Sequence, residues 1–312
     1  GHAALYSNTT ASNNTAVGRD TLVANTTGGN NTAVGYQALD ANTTGADNVA
    51  LGAVALSANT TASSNTAVGE SALKVNTTGA NNTVVGASAG SSITTGGSNT
   101  ALGRQAGGAL TTGTENTYLG YQAGTHNVSH ETGGGCVILG AFSDAEASDT
   151  AQAIVIGYDV TGASSFTTLG SGSSDIRTAH GSTNWATISD ERVKKDIIDA
   201  TAGLAFINDL KPKTFKYKNK GDIPEEFKGY EKDSTEPYKL GNTNHGFIAQ
   251  EVKTVIDNHS EIADGFKMWS VRESGQQEVA EAALIPILTK AIQELSTTVD
   301  ELKAEITTLK GE

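Results

Sequence analysis

The residues best placed to do chemistry stand in one run, Ser189-Asp190-Glu191-Arg192-Val193-Lys194-Lys195-Asp196-Ile197. A serine hydroxyl becomes a nucleophile when a base lies within hydrogen-bond reach. A lysine can be that base once burial or neighbouring cations lower its pKa, and Arg192 and Lys195 are such neighbours of Lys194. Five residues turn a regular helix by about 140°, so Ser189 and Lys194 would not share a helical face. The segment is therefore expected to bend or extend there. Taken alone, Ser-x4-Lys reads as a solvated charged turn rather than a catalytic pair. Elsewhere His126 and His130 are four apart, a metal-ligand spacing, but no third ligand accompanies them. They read as polar loop histidines, and neither a metal nor any other cofactor is expected.

Downstream of the serine come Leu210-Lys211-Pro212-Lys213-Thr214-Phe215-Lys216-Tyr217 and His245-Gly246-Phe247-Ile248-Ala249-Gln250-Glu251-Val252, and a helix rich in Leu, Ile and Glu closes the chain. The pattern Ser-Asp-x-Arg-x-Lys-x-Asp-Ile, followed at this distance by Gly-Phe-Ile-Ala-Gln-Glu, resembles the self-cleaving intramolecular chaperone of phage tail fibres and tailspikes, the endosialidase-type S74 peptidase family. The resemblance covers residues 185–310. It implies that Ser189 is the nucleophile and Lys194 its general base, with a single-turnover cut between Ile188 and Ser189. It further implies supporting roles for Asp190, His245 and Gln250, with Asp190 orienting the site or capping the segment after it. A buried structural role is the alternative for Gln250.

The 312 residues divide by composition. Residues 1–188 hold 4 Lys/Arg against 11 Asp/Glu, a net of −7; the remaining 124 hold 17 against 23, a net of −6. The acidic balance argues against a nucleic-acid partner, because phosphate contacts need clustered Lys and Arg. No apolar run approaches the ~18 residues of a membrane span. Cys136 is the one cysteine and has no intrachain partner for a disulfide. The chain opens on Gly1-His2-Ala3-Ala4, directly in repeat-like sequence with no signal-peptide pattern, and the natural protein is expected to extend further towards its N-terminus.

The first part is repetitive. Asn-Thr-Ala-Val-Gly recurs at 14–18, 31–35 and 65–69, and Gly18, Gly35, Gly52, Gly69, Gly86, Gly103 and Gly120 are each 17 apart. Gly140 breaks the step, Gly157 resumes it and Gly170 ends it. Alanine follows each of the middle glycines by three (Ala38, Ala55, Ala72, Ala89, Ala106, Ala123), then Leu39, Leu56 and Leu73, replaced later by Gly90, Gly107 and Gly124. Asn-Thr-Thr turns follow at Asn25, Asn42, Asn59 and Asn76, where positive φ suits Asn and Gly. These match glycosylation acceptors, but they recur because the turn recurs, and no glycan role is assigned. Fixed spacing stacks like residues in ladders, which describes a solenoid. Each unit offers about a Val or Leu, an Ala and a Leu to a core. So thin a core favours three chains sharing one, a trimeric β-roll or β-prism, over a self-contained β-solenoid. The repeat is also similar in style, over residues 5–125, to the head repeats of trimeric autotransporter adhesins.

The expected organisation is a 17-residue-repeat β stalk over 1–125, an irregular β neck over 126–188, and an α+β chaperone domain over 189–312 ending in a coiled-coil helix over 280–310. Within the last, a helix is expected over 200–210 capped by Asp199 or Thr201, a strand over Lys213–Lys218 with Phe215 and Tyr217 on one face, an amphipathic helix over Phe247–Asp257 and a strand over Lys267–Arg272. Heptads place Ile285, Ile292, Val299 and Ile306 at a and Leu288, Leu295, Leu302 and Leu309 at d. β-Branched a with Leu d favours two strands; the stalk and the resemblance favour three. The expected protein is the distal part of a homotrimeric viral tail fibre, assembled in the host cytoplasm, meeting a host-cell surface receptor such as a glycan, and without membrane insertion. The alternative is a bacterial trimeric surface adhesin with the same chaperone domain.

Overall fold

The computed structural model describes residues 1–187, 189–239, 241–262, 266–272 and 274–311. It forms two compact units, Gly1–Val193 and Lys194–Glu312.

The first unit is a β-solenoid. Its coils contribute β1 (Thr15–Val17), β2 (Thr32–Val34), β3 (Val49–Leu51), β4 (Thr66–Val68), β5 (Thr83–Val85), β6 (Thr100–Leu102), β7 (Thr117–Leu119) and β8 (Val137–Leu139). A short β9 (Asp144–Ala145) precedes β10 (Ile154–Tyr158); β11 (Thr161–Gly162) pairs with β9, and β12 (Phe166–Ser171) is followed by β13 (Ser174–Ala179). β1 to β8, β10 and β12 stack in parallel, with β13 returning antiparallel at the end. Pairing is in coil register: Thr15, Ala16 and Val17 face Thr32, Ala33 and Val34. The segment 126–188, expected as an irregular neck, carries the same sheet onward through β8, β10 and β12.

Side chains alternate across a strand. The middle residue points inwards, so Ala33, Ala50, Ala67, Val84, Ala101, Tyr118, Ile138 and Val155 are buried. The residues on either side therefore point out. This corrects the sequence reading that counted the Val or Leu before each glycine as core: Val17 is 56% exposed and Leu102 47%. The glycine itself is obligatory. At Gly35 φ is +140°, and an added Cβ would lie 2.4 Å from the Gly52 carbonyl oxygen of the next coil.

The core closes within one chain, so the stalk takes the solenoid form rather than a β-roll interior shared by three chains. Leu22, Leu39, Leu56 and Leu73 are fully buried beside the Ala ladders. The missing apolar bulk is replaced by asparagine. The Asn48, Asn65, Asn82, Asn99 and Asn116 backbone N–H groups each donate to the side-chain oxygen of the asparagine 17 residues earlier, at 3.0 Å. Their amide nitrogens donate to carbonyls of the following coil, as from Asn48 to Ala62 at 2.9 Å. A second ladder runs through the side chains of Asn25, Asn42, Asn59 and Asn76 at 2.8–3.2 Å. These asparagines of the Asn-Thr-Thr turns are buried and lack the positive φ expected of them, which falls on Leu22, Leu39, Leu56 and Leu73 instead. Later coils exchange both positions together. Gly90 and Gly107 take over the left-handed corner, and Ile93 and Leu110 take the asparagine place and refill the core. The second ladder thus ends at Asn76, whose Oδ1 is buried without a partner among the described residues.

The three-residue insertion before Gly140 has a specific seat. Tyr118 fills the core where most coils before it carry alanine, and Gly107 and Gly124 flank its ring, each too close for a Cβ. His130 is buried beneath it, with Tyr118 Oη 2.6 Å from Nδ1 and the Thr150 carbonyl 2.7 Å from Nε2. A carbonyl only accepts, so Nε2 carries the proton and Nδ1 accepts from the tyrosine. His130 is therefore a core residue, not the polar loop histidine expected, and burial pushes its pKa below the usual histidine value. His126 packs on Phe142 at 4.5 Å between ring centres. Asp144 accepts from the backbone N–H groups of Asn127 and Val128 at 2.5 and 3.1 Å, pinning the inserted loop.

In the second unit, α1 (Leu204–Asp209), α2 (Ala249–Asn258) and α3 (Ile285–Lys310) accompany two hairpin-like pairs. These are β14 (Lys213–Phe215) with β15 (Asn244–Gly246), and β16 (Trp269–Val271) with β17 (Gln277–Val279). Phe206, Val252, Ile256, Met268, Leu284 and Ile287 make the core. α1 starts four residues later than expected and uses neither Asp199 nor Thr201 as cap. Its first N–H, on Leu204, donates to Glu294 of α3 at 2.8 Å, an acceptor 90 residues away. Tyr217 lies beyond β14, yet its ring still meets Phe215 edge to face at 5.5 Å. His259 is held between Asp209 (2.9 Å) and Glu261 (2.8 Å), against the Phe206 ring. No helix among the described residues is long and apolar enough to cross a membrane.

Two measurements check this account. Asn48→Ala strips acceptors and donors from two neighbouring coils, and at about 1–3 kcal/mol per orphaned group should lower solenoid stability by about 2–4 kcal/mol. Thr44→Ala, at an exposed turn position, should change it by less than ~0.5 kcal/mol. The hydrogen bonds to Asp209 and then Glu261 raise the His259 pKa. The stabilisation is thus fully present below the unfolded value of about 6.5 and lost as pH rises through the higher folded value. The melting temperature of the second unit should fall as pH rises above about 6.5, and His259→Gln should flatten that slope.

Candidate autoproteolytic site

Ser189 is exposed and stands two residues before a short 3₁₀ turn at Glu191–Val193. Ile188 lies outside the described residues, and so does the predicted bond between Ile188 and Ser189. Asp190 organises the turn. Its Oδ1 accepts the Arg192 backbone N–H at 2.9 Å, and its carboxylate takes a two-pronged grip on the guanidinium, Nε to Oδ1 at 2.9 Å and Nη2 to Oδ2 at 2.5 Å. The arginine holds the Asp190 carboxyl below the usual carboxylate range. The sequence presents Arg192 as a free cation beside the lysines; in the structure its charge is compensated locally by Asp190. An acid and a base two residues apart are a signal for such a pair, legible only once the backbone is known to close into a tight turn.

Lys194 opens the second unit, and Lys194 and Lys195 are both exposed. Within the second unit, β15 places His245 directly across from Thr214, whose hydroxyl is 3.1 Å from Nδ1. Gln250 sits in the first turn of α2 and is exposed, so the buried alternative for it does not hold. His245 and Gln250 line one open cleft, with the aromatic rings of Phe215, Tyr217 and Tyr238.

His126 and His130 do not converge, since both ring nitrogens of His130 are engaged internally. Among the described residues no group of three His, Cys, Asp or Glu side chains could hold a metal ion. Cys136 is buried, where loss of water raises its thiol pKa.

Comparison with known proteins adds one finding. Residues 189–261, less than a quarter of the chain, match the sequence model of the family described as chaperone of endosialidase. That family is associated with autoproteolytic cleavage. No curated protein and no solved structure matches the chain. The match begins at Ser189 itself and runs through the Asp190–Arg192 turn, Lys194, His245 and Gln250, ending before the last helix.

Proposed function

We propose that residues 189–312 are an intramolecular chaperone that joins three chains, starts the winding of the solenoid and then cuts itself off. The observation that carries this reading is the open seam of α3. Pro286 in its first turn and Gly311 at its end bound a regular helix whose a and d residues are all exposed. Ile285, Ile292, Leu295, Leu302 and Leu309 are all at least half exposed. Apolar a and d positions left open along 26 residues are the seam of a coiled coil.

The solenoid explains why such a starter is useful. Its coils are nearly interchangeable, so a pairing that skips one coil loses little locally, and register is weakly specified. Three tails joined first would bring the ends of three stalks together and give winding a fixed beginning. Removing the tail afterwards leaves a stalk whose loss requires many coils to open together, so its durability becomes a matter of rate.

The cut follows from the chemistry of the run. Lys194 in its neutral form takes the proton of the Ser189 hydroxyl, and Oγ attacks the Ile188 carbonyl carbon. The C–N bond breaks as the proton passes to the Ser189 nitrogen, leaving Ile188 as an ester on Oγ. Water then hydrolyses the ester, giving an Ile188 carboxylate and a chain that begins at Ser189 with its hydroxyl restored. A lysine base requires desolvation or neighbouring positive charge. Lys194 is exposed in the single chain; packing of three tails supplies the drier surroundings, so cleavage waits for assembly. In this reading the layout of solenoid followed by releasable tail is that of the distal part of a viral tail fibre that meets a host-cell surface.

Freshly expressed protein should yield fragments beginning at Gly1 and Ser189 on a denaturing gel, while Ser189→Ala and Lys194→Ala should each stay full length and Lys195→Ala should be slowed at most. Cleavage of the Ser189→Ala chain would remove the serine from the mechanism. Light scattering of the Ser189→Ala chain should give three times the chain mass, falling to one when Ile292 and Leu295 are both changed to Glu.

A further inference from the structure

The interior of the first unit is almost free of groups that titrate. Apolar side chains and asparagines line its coils up to β6. Among its described residues the buried titratable side chains are Tyr118, His130, Cys136 and Asp144, and all stand between β7 and β9, around the three-residue insertion. The Thr150 carbonyl accepts from His130 Nε2 at 2.7 Å and from Cys136 Sγ at 3.3 Å, while Nδ1 accepts from Tyr118 Oη at 2.6 Å. The ring has no room to turn away on the Nε2 side, where a Cβ on Gly133 would lie 2.2 Å from Nε2 and 1.8 Å from the Thr150 oxygen. The segment after His130 also joins one coil to the next. The Glu131 and Thr132 N–H groups donate to the Ser148 carbonyl at 2.9 Å, the Gly133 carbonyl accepts from Asn116 Nδ2 at 2.9 Å, and the Cys136 N–H closes the first asparagine ladder.

We infer that His130 is a proton-sensitive lock: when it takes up a second proton in mildly acid surroundings, the segment from 126 to 136 is released and the solenoid opens at this coil while the coils before it stay closed. The neutral ring fits because one nitrogen donates and the other accepts. An imidazolium donates from both. Its Nδ1–H would face the Tyr118 hydroxyl, which must then turn its own proton away from the ring, and among the described residues no second partner stands at Tyr118 Oη. The new charge would also lie in a core closed to water. Burial accordingly holds the His130 pKa below the usual histidine value. The closed coil thus binds fewer protons than the open one, and stability present at neutral pH is lost as pH falls below the free value of about 6.5. The neighbouring groups do not cancel this. Burial raises the pKa of Tyr118 and of Cys136, so both stay neutral. Asp149 attracts an imidazolium, but it is exposed and water screens it. Asp144, which faces Tyr118 and the exposed His126, has the opposite sign: burial raises its pKa, so proton uptake there favours the closed coil. The lock needs neither cleavage nor association of chains.

Hydrogen–deuterium exchange of the full chain at about pH 7.5 and about pH 5, read by mass spectrometry and corrected for the intrinsic pH dependence of exchange, tests it. Peptides covering 118–150 should open more often at the lower pH, by several-fold and at most about 30-fold, the ceiling for a group whose open-state value is about 6.5. Peptides covering 31–103 should not change. His130→Gln should remove the pH dependence at 118–150, and Asp144→Asn, whose side-chain oxygen can still accept from Asn127 and Val128, should keep it. Slow exchange of the His130 Cε1–H in the unsubstituted chain gives a reading that needs no variant to fold, and it should titrate below about 6.5. An acid opening that is absent from 118–150, spread evenly along the solenoid or retained in His130→Gln would overturn the lock. So would its loss in Asp144→Asn, which would assign the proton to the carboxylate, or a Cε1–H titration at or above the free value.

Discussion

Everything in the first unit depends on one constraint, that each buried amide must find its partner one coil away. A coil of 17 residues has too little apolar bulk to exclude water by itself, and its interior is crossed by backbone groups. The asparagine ladders meet both demands. In the first ladder each side-chain oxygen takes a backbone N–H of the next coil and each amide nitrogen reaches a carbonyl of that coil; in the second each side-chain oxygen takes the amide nitrogen of the next asparagine. The Gly45 carbonyl receives both Asn31 and Asn42 at 2.9 Å, so the two ladders meet at a shared acceptor. Such partners exist only when the pitch is constant, because a coil one residue longer would leave a donor in each neighbour orphaned at about 1–3 kcal/mol. The strictness of the repeat follows from polar satisfaction as much as from packing.

The same constraint shows how the chain departs from its repeat. Where asparagine gives way to Ile93, the ladder ends in an oxygen on Asn76 without a partner among the described residues, and the freed volume is filled by the isoleucine while a glycine replaces the leucine three residues before. Where three residues are inserted, they are looped outwards and tied back by Asp144. The polar plug of His130 then satisfies the one hydroxyl that Tyr118 brings into the core. Even the first ladder ends on a backbone donor, the Cys136 N–H reaching Asn116 at 3.0 Å. These are exchanges between positions three apart or one coil apart, made so that volume and hydrogen bonds stay matched together.

The two units solve the problem of stability differently. The solenoid is closed by its own interior and leaves an apolar face outside; the second unit has a small core and a long helix with an open seam. Both leave surfaces that one chain does not cover.

The period of 17, the glycine at each corner, the breaks at 140 and 170, the Ser189 motif and the heptads of α3 all follow from residue type and spacing, because each is a local or strictly periodic property of the chain. The solenoid itself was one of the two forms that spacing allowed. The direction in which each side chain points was not accessible in the same way. Val17 and Leu102 face outwards because Ala16 and Ala101 are the residues the narrow core accepts. Asn42 is buried because Asn25 and Gly45 come within hydrogen-bond distance of it. His130 became a core residue through Tyr118, twelve positions away, and α1 takes its cap from Glu294, ninety positions away. At the candidate site, Ser189, Lys194, Asp190, His245 and Gln250 could be named from the motif. The grip of Asp190 on Arg192 and the pairing of His245 with Thr214 came only with the backbone. Sequence carries the identity and spacing of groups. Winding and packing decide which of them meet, and a hydrogen bond depends on that meeting.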